Sequence, residues 1–412
     1  MTEQEDRKRW LALYVLCVGM LMIVLDATIV NVALPSIQED LDFSQSNLAW
    51  VVNAYLIAFG GLLLLAGRIG DLIGQRRIFL IGLAVFTGAS LLCALAQSQG
   101  MLIGARFVQG VGGALTSAVI LGMIVMMFPE PREQAKAIGM YTFVAVAGGS
   151  IGLLAGGLLT EAINWHWIFF VNLPIGVATA LFALRLIDDR EGIGVKEGAD
   201  IPGAVLLTAG LMLGVYTILG VESHGWGSAQ TVGLGAISAV LLAAFLTRQA
   251  RLANPLMPLR LFRSRNVAGA NLVQALLVVG MFGMFFLGAL YMQRILGYDA
   301  LEVGLAYLPA TLVMGTMSFR FTAQLNLRFG AKATLLPGIA FIGAGMLLFA
   351  RTSVEASYVV DLLPAMVVFG LGAGLAGEVG NGASPRGIGF FRAAYETRRV
   401  YTAIDAKWAD SA

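Results

Sequence analysis

The chain has 412 residues, 58% of them hydrophobic and only 13% charged, with a formal net charge of +2 and a mean hydropathy of +0.81. Such apolarity excludes an ordinary soluble protein of this length. The near-balanced charge says nothing about partners by its sum, only by its distribution, and no nucleic-acid partner is expected. Repeated apolar runs of roughly 20 residues match the ~30 Å hydrocarbon core of a bilayer, and no alternating ten-residue pattern marks a barrel. In chain order they predict helices over about residues 10–34, 48–68, 77–96, 100–127, 137–160, 167–187, 201–222, 231–248, 268–292, 302–323, 332–350 and 358–377, an all-α polytopic membrane protein. The charged start, Met1 to Arg9, precedes an apolar run too long for a signal peptide and without a small-residue cleavage site, so it is expected to stay as the first helix.

Alternate loops carry the positive charge: Arg68, Arg76 and Arg77; Arg132 and Lys136; Arg185 and Arg190; the series from Arg248 to Arg265; and Arg320, Arg328 and Lys332. By the positive-inside rule these face the cytoplasm, as do both termini, in a cell (inner or plasma) membrane. Trp165, Trp167, Trp226 and Tyr358 fall at outer helix ends, where aromatic rings favour the headgroup region. Cys17 and Cys93 lie within apolar helices and read as packed small hydrophobes rather than as a disulfide or metal pair.

Four features carry chemistry. Asp26 lies well inside the first apolar stretch, where an ionised carboxylate costs at least about 2.5 kcal/mol, so its default reading is a proton or cation site. Between the second and third helices, Gly67, Asp71, Gly74, Arg76 and Arg77 form a tight turn in which Asp71 pairs with an arginine or caps the next helix, unless the segment is simply a solvated basic loop. On the fourth helix Arg106, Gln109, Gly110 and Gly113 share one face, and a buried arginine must meet a cavity, a carboxylate or the helix end. On the fifth, Gly148, Gly152 and Gly156, with Gly157, lay a smooth groove for close helix packing. Phe282, Met284, Phe285, Phe286, Tyr291 and Met292 read as helix packing or lipid contact, or alternatively as a cavity lining.

These blocks, in this order, resemble the major facilitator superfamily. The Gly67–Arg77 turn is similar to its signature loop between helices 2 and 3, the Arg106–Gly113 block to its helix 4 motif, and the glycine face of helix 5 to the antiporter motif of drug and proton exchangers, with Leu153 in place of the usual proline. The segment around Asp26 and the run Trp165 to Gly176 resemble the fourteen-helix drug:proton antiporter branch, although His166 stands where that branch commonly has arginine and reads as an interfacial residue. The resemblance implies two pseudo-symmetric helical bundles around a midplane cavity. It further implies proton-coupled efflux of hydrophobic or cationic small molecules, with Asp26 and Arg106 in proton coupling and the Gly67–Arg77 turn as a cytoplasmic gating loop.

The resemblance then divides the chain into an amino-terminal six-helix bundle (1–187), a polar, Gly-rich cytoplasmic linker (188–200), two extra helices (201–248), a partial second bundle of four helices (249–377) and a charged tail (378–412). After residue 377 no stretch approaches the length of a span, so helices 13 and 14 of that branch are expected to be absent and the tail to be disordered, frameshifted or a natural regulatory extension. Phe329-Gly330-Ala331-Lys332 repeats Ile73-Gly74-Gln75-Arg76 at the corresponding place in the second bundle. No phosphate-binding loop and no metal or nucleophile constellation is present around His166 or His224, so no cofactor, no metal and no enzymatic activity are expected. The expected partners are a small-molecule substrate, protons and the lipid bilayer, with an accessory or oligomeric partner left open. The rival readings are a non-transporting membrane protein and a solute symporter of the same superfamily.

Overall fold

Burying backbone polar groups in hydrocarbon is tolerable only when each is hydrogen-bonded within the segment, which makes helices of these apolar runs. In the computed structural model, described for residues 3–189, 192, 194, 200–252, 255, 256, 259, 263 and 265–380, twelve helical stretches among the described residues are long and apolar enough to cross a membrane. They match the twelve expected spans. The tail expected after residue 377 lies, from residue 381 onward, outside the described residues.

The chain divides into two compact units, Met1–Met127 with Gly152–Leu259, and Phe128–Ile151 with Arg260–Ala412. The first holds α1 (Glu3–Asp40), α2 (Gln45–Ile73), α3 (Gln75–Ala94), α4 (Gln99–Met127), the later part of α5 (Pro131–Ala162), α6 (Trp167–Phe170), α7 (Asn172–Leu186), α8 (Ile201–His224) and α9 (Ala229–Arg251). The second holds the start of α5 with α10 (Arg265–Arg294), α11 (Ala300–Thr316), α12 (Ala323–Phe329), α13 (Ala331–Phe349) and α14 (Leu363–Gly380). Short π-helical stretches at Met317–Thr322 and Tyr358–Leu362 lead into α12 and α14.

Glycines set the core of the first unit. A Cβ at Gly110 of α4 would lie 2.3 Å from the Tyr55 carbonyl oxygen of α2, and one at Gly112 would lie 2.4 Å from the Phe86 nitrogen of α3. α4 is therefore pressed between α2 and α3 with backbones nearly touching, as small residues permit. The second unit repeats the device. A Cβ at Gly370 of α14 would lie 2.4 Å from the Ala310 carbonyl oxygen of α11, and one at Gly372 would lie 2.5 Å from the Ile342 nitrogen of α13. The turn into α3 bends at Gly74 with φ 108° and that into α13 at Gly330 with φ 87°, which only glycine adopts easily. The sequence repeat around these two glycines is thus a repeat of backbone geometry.

The sixth expected span is present as Trp167–Leu186, with α6 and α7 meeting at Val171, which itself has helical dihedrals (φ −60°, ψ −25°). One expectation needs correction. Trp165 does not sit in a headgroup belt: it is buried in the cluster of Ile29, Ala33, Ile37, Phe43 and Phe169, and its indole donates to Asp40 Oδ2 at 3.0 Å. The hydrogen-bond partner and the apolar neighbours together satisfy both ends of the indole inside the protein. Trp167 and Trp226 are exposed.

Candidate functional site

Asp26, in the middle of α1, is completely buried, and so are Arg106 and Gln109 one turn apart on α4. Arg106 Nη1 donates to Asp26 Oδ2 at 2.6 Å, closing a fully buried ion pair. Gln109 Nε2 donates to Asp26 Oδ1 at 2.7 Å, while its Oε1 accepts from Arg106 Nη1 at 2.6 Å. The amide thus bridges the two charges. A third donor, Asn172 Nδ2 at the first residue of α7, reaches Asp26 Oδ1 at 2.9 Å.

A second layer holds these groups. Ser90 of α3 accepts from Gln109 Nε2 at 2.8 Å and donates to the Phe86 carbonyl at 2.8 Å. Arg106 Nε donates to the Val51 carbonyl of α2 at 3.0 Å, and the guanidinium carbon stands 4.4 Å from the centre of the Tyr55 ring and 5.7 Å from that of Phe169. Two aromatic faces and a carbonyl replace much of the hydration that a buried guanidinium loses. Among the described residues, Arg106 Nη2, the Tyr55 hydroxyl and Asn172 Oδ1 have no hydrogen-bond partner.

The arrangement sets a carboxylate against one cation and two amide donors inside apolar walls. Asp26, Arg106 and Gln109 were legible in the sequence. Asn172, Ser90 and Tyr55 were not singled out, although an amide inside an apolar span is the same kind of signal as an aspartate there.

The other motif residues have separate places. Gly110 and Gly113 serve packing, the latter against Tyr55 and Phe59 of α2. Gly152 and Gly156 of α5 lie against α1: a Cβ at Gly152 would sit 2.0 Å from Thr28 Oγ1, and one at Gly156 would sit 2.8 Å from the Ile29 carbonyl oxygen. Gly148 and Gly157 are buried. Asp71 neither pairs with an arginine nor caps α3 among the described residues; it accepts from Gln75 Nε2 at 3.2 Å. The sharp bend at Gly74 turns the arginines toward the end of α7 instead. There Arg76 donates to the Leu184 carbonyl at 2.6 Å, and Arg76 and Arg77 stand 3.9 and 3.6 Å from Asp189. Gly67 approaches Ala118 of α4. In the second unit Met284 and Met292 are buried and Phe285 packs on Tyr307 and Phe369, whereas Phe282 is exposed. His166 stacks on Trp165, and this burial lowers its pKa against a smaller opposing effect of Asp40.

Residues 16–385 match the family model described as Major Facilitator Superfamily. The chain belongs to this superfamily. Among curated relatives, it is 40% identical over 373 residues to the puromycin resistance protein pur8 of Streptomyces alboniger, covering 90% of this chain and 73% of that protein. It is 37% identical over 368 residues to the cephamycin export protein CmcT of Amycolatopsis lactamdurans, covering 89% and 76%. Over 367 residues it is 32% identical to the tetracenomycin C resistance and export protein of Streptomyces glaucescens, covering 89% and 67%. The fold is similar to that of the human organic anion transporter MFSD10 (TETRAN), with a TM-score of 0.60 at 15% identity over 90% of this chain and 85% of that one. This major facilitator chain is accordingly a multi-pass membrane transporter.

Proposed function

We propose that this efflux transporter couples the inward movement of protons to the export of bulky hydrophobic or cationic small molecules, with Asp26 as the proton carrier and Arg106 as its charge partner. The buried Asp26–Arg106 pair carries the reading, because an ionisable group inside an apolar span is costly and marks a proton or ion pathway by default. The relatives named for puromycin resistance, cephamycin export and tetracenomycin C export favour substrates of natural-product size. A proton crossing with the membrane potential supplies about 2.3 kcal/mol per 100 mV.

In this reading the ionised pair holds α1 against α4, and protonation from outside releases it. The Gly67–Arg77 turn, tied to the end of α7 through Arg76, Arg77 and Asp189, opens and closes the cytoplasmic side. The fourteen-helix branch is supported by α8 and α9, which pack as an antiparallel pair through Ser238 against Gly210 and join α2 through Thr208 donating to the Gly61 carbonyl at 2.8 Å. Both termini face the cytoplasm of a cell membrane.

The test is Asp26→Asn, which fills the same volume and cannot cycle its charge. In inverted vesicles supplied with a proton gradient and a fluorescent hydrophobic cation such as ethidium, the variant is expected to lose gradient-driven accumulation while still inserting and binding dye. Full gradient-driven transport by the variant overturns the proposal.

A further inference from the structure

Asp26 has to be accommodated in two forms, and the two make opposite demands on their neighbours. An ionised carboxylate only accepts hydrogen bonds, whereas the neutral acid carries one O–H that must be accepted. Around Asp26 the structure provides three donors, Arg106 Nη1, Gln109 Nε2 and Asn172 Nδ2. Arg106 has no acceptor at all. Gln109 Oε1 is engaged by Arg106 Nη1 at 2.6 Å and by the Cys93 thiol at 3.6 Å, so turning that amide over would set two donors against each other beside the guanidinium. Ser90 lies beyond the amides rather than on the carboxylate, and its proton is given to the Phe86 carbonyl. Of the three side chains bonded to Asp26, only Asn172 keeps an acceptor with no partner among the described residues, its Oδ1, on a side chain that is completely buried; the Tyr55 hydroxyl, also unpartnered there, makes no hydrogen bond to the carboxylate.

We propose that Asn172 is a positioning residue that follows the protonation state of Asp26: its amide donates to the ionised carboxylate through Nδ2 and, turned over, accepts the proton of the neutral acid through Oδ1. The inference rests on Asp26 being the proton carrier. The two ends of an amide occupy nearly the same space, so the exchange needs a half-turn about one side-chain bond and no backbone movement. One proton adds to a carboxylate oxygen and no other bond is made or broken. The charged and titratable groups facing Asp26 from the elements packed on it are Arg106 of α4, Tyr55 of α2 and Cys93 of α3; α5 brings Gly152 and Gly156 to α1, and α6 brings Phe169. Of the groups hydrogen-bonded to Asp26, Asn172 is the one whose free acceptor lets both forms of the acid be satisfied. Its place at the first residue of α7 lets the state of Asp26 be passed to the sixth span.

The experiment is infrared difference spectroscopy of the purified full chain in lipid between acid and alkaline pH, with asparagine carrying 13C at the side-chain carbonyl. The carboxylic-acid band of Asp26 is identified by its loss in Asp26→Asn, and the Asn172 band by its loss in Asn172→Ser. The expected result is that the Asn172 carbonyl band moves to lower frequency as the Asp26 acid band appears. An acid band that appears while the Asn172 band stays in place overturns the inference and leaves Asp26 as proton carrier. Absence of any Asp26 acid band across the range overturns both.

Transport gives a second readout. Asn172→Leu is expected to slow proton-driven ethidium turnover about tenfold with KM within about twofold, and Asn172→Ser, whose hydroxyl both donates and accepts, to recover most of it. Wild-type turnover in Asn172→Leu, or a serine variant no better than leucine, overturns the inference.

Discussion

Arg106 and Asp26 meet at 2.6 Å with no exposure of either side chain, and Gln109 is bonded to both. Breaking such a pair from one side leaves a bare buried charge, which costs about 3–5 kcal/mol, whereas removing both charges together is close to neutral. Arg106→Leu is therefore expected to lower thermal stability in detergent sharply, and the double variant with Asp26→Asn to regain much of the loss. A double variant as unstable as Arg106→Leu alone would show that the guanidinium matters for packing on Tyr55 rather than for charge.

Gly152 faces Thr28, whose hydroxyl is already bonded to the Val24 and Leu25 carbonyls. Gly152→Leu should destabilise the protein more than Leu153→Pro, because the glycine abuts the α1 backbone while residue 153 is only partly buried. Melting of the two purified variants in one detergent makes the comparison. Equal losses would remove close packing as the reason for the glycine.

Gly74 and Gly330 take backbone angles in the region open only to glycine. Alanine at either is expected to cost about 1–3 kcal/mol, with similar losses at the two sites. Thermal unfolding of Gly74→Ala and Gly330→Ala measures this, and a tolerated alanine at either would show that its turn relaxes.

Asp200 caps α8 through the Gly203 N–H and joins α9 through Arg248 at 2.7 Å and Gln249 at 2.6 Å. Burial pushes its pKa up, but these hydrogen bonds outweigh that and hold the carboxyl below its ordinary value of 3.8. A depressed value in the folded state means a contribution fully present above the unfolded pKa and lost as pH falls through the folded one. Asp200→Ala should thus lower stability by about 1 kcal/mol at neutral pH, chiefly through the cap, with the part-exposed arginine adding little. The gap between variant and wild type should close as the pH falls below about 4. A gap that persists at low pH would leave the capping bond without its ionic part.

The spans were legible because bilayer thickness imposes a run length on the sequence, and Asp26 and Arg106 were legible because charges there are costly. Their meeting was not, since nothing local in the chain links α1 to α4. Asn172 escaped because an amide carries no charge, and the run Trp165 to Gly176 that contains it was read only as a resemblance to the fourteen-helix branch. Trp165 was misplaced for a related reason: position at a helix end suggests an interface, but only the fold supplies Asp40 as its partner. Asp71 lost its expected arginine because the bend at Gly74 directs Arg76 and Arg77 elsewhere, and a bend of that kind is not written in residue spacing.

The matched glycines of α4 and α14 place Met366 and Phe369 where the first unit has Arg106 and Gln109, and both are buried and apolar. Symmetry of backbone is therefore not symmetry of chemistry. Among the described residues the second repeat carries no copy of the charged centre: a lesion at Arg106 has no understudy at Met366, while the apolar repeat is free to change its side chains without touching the charged one.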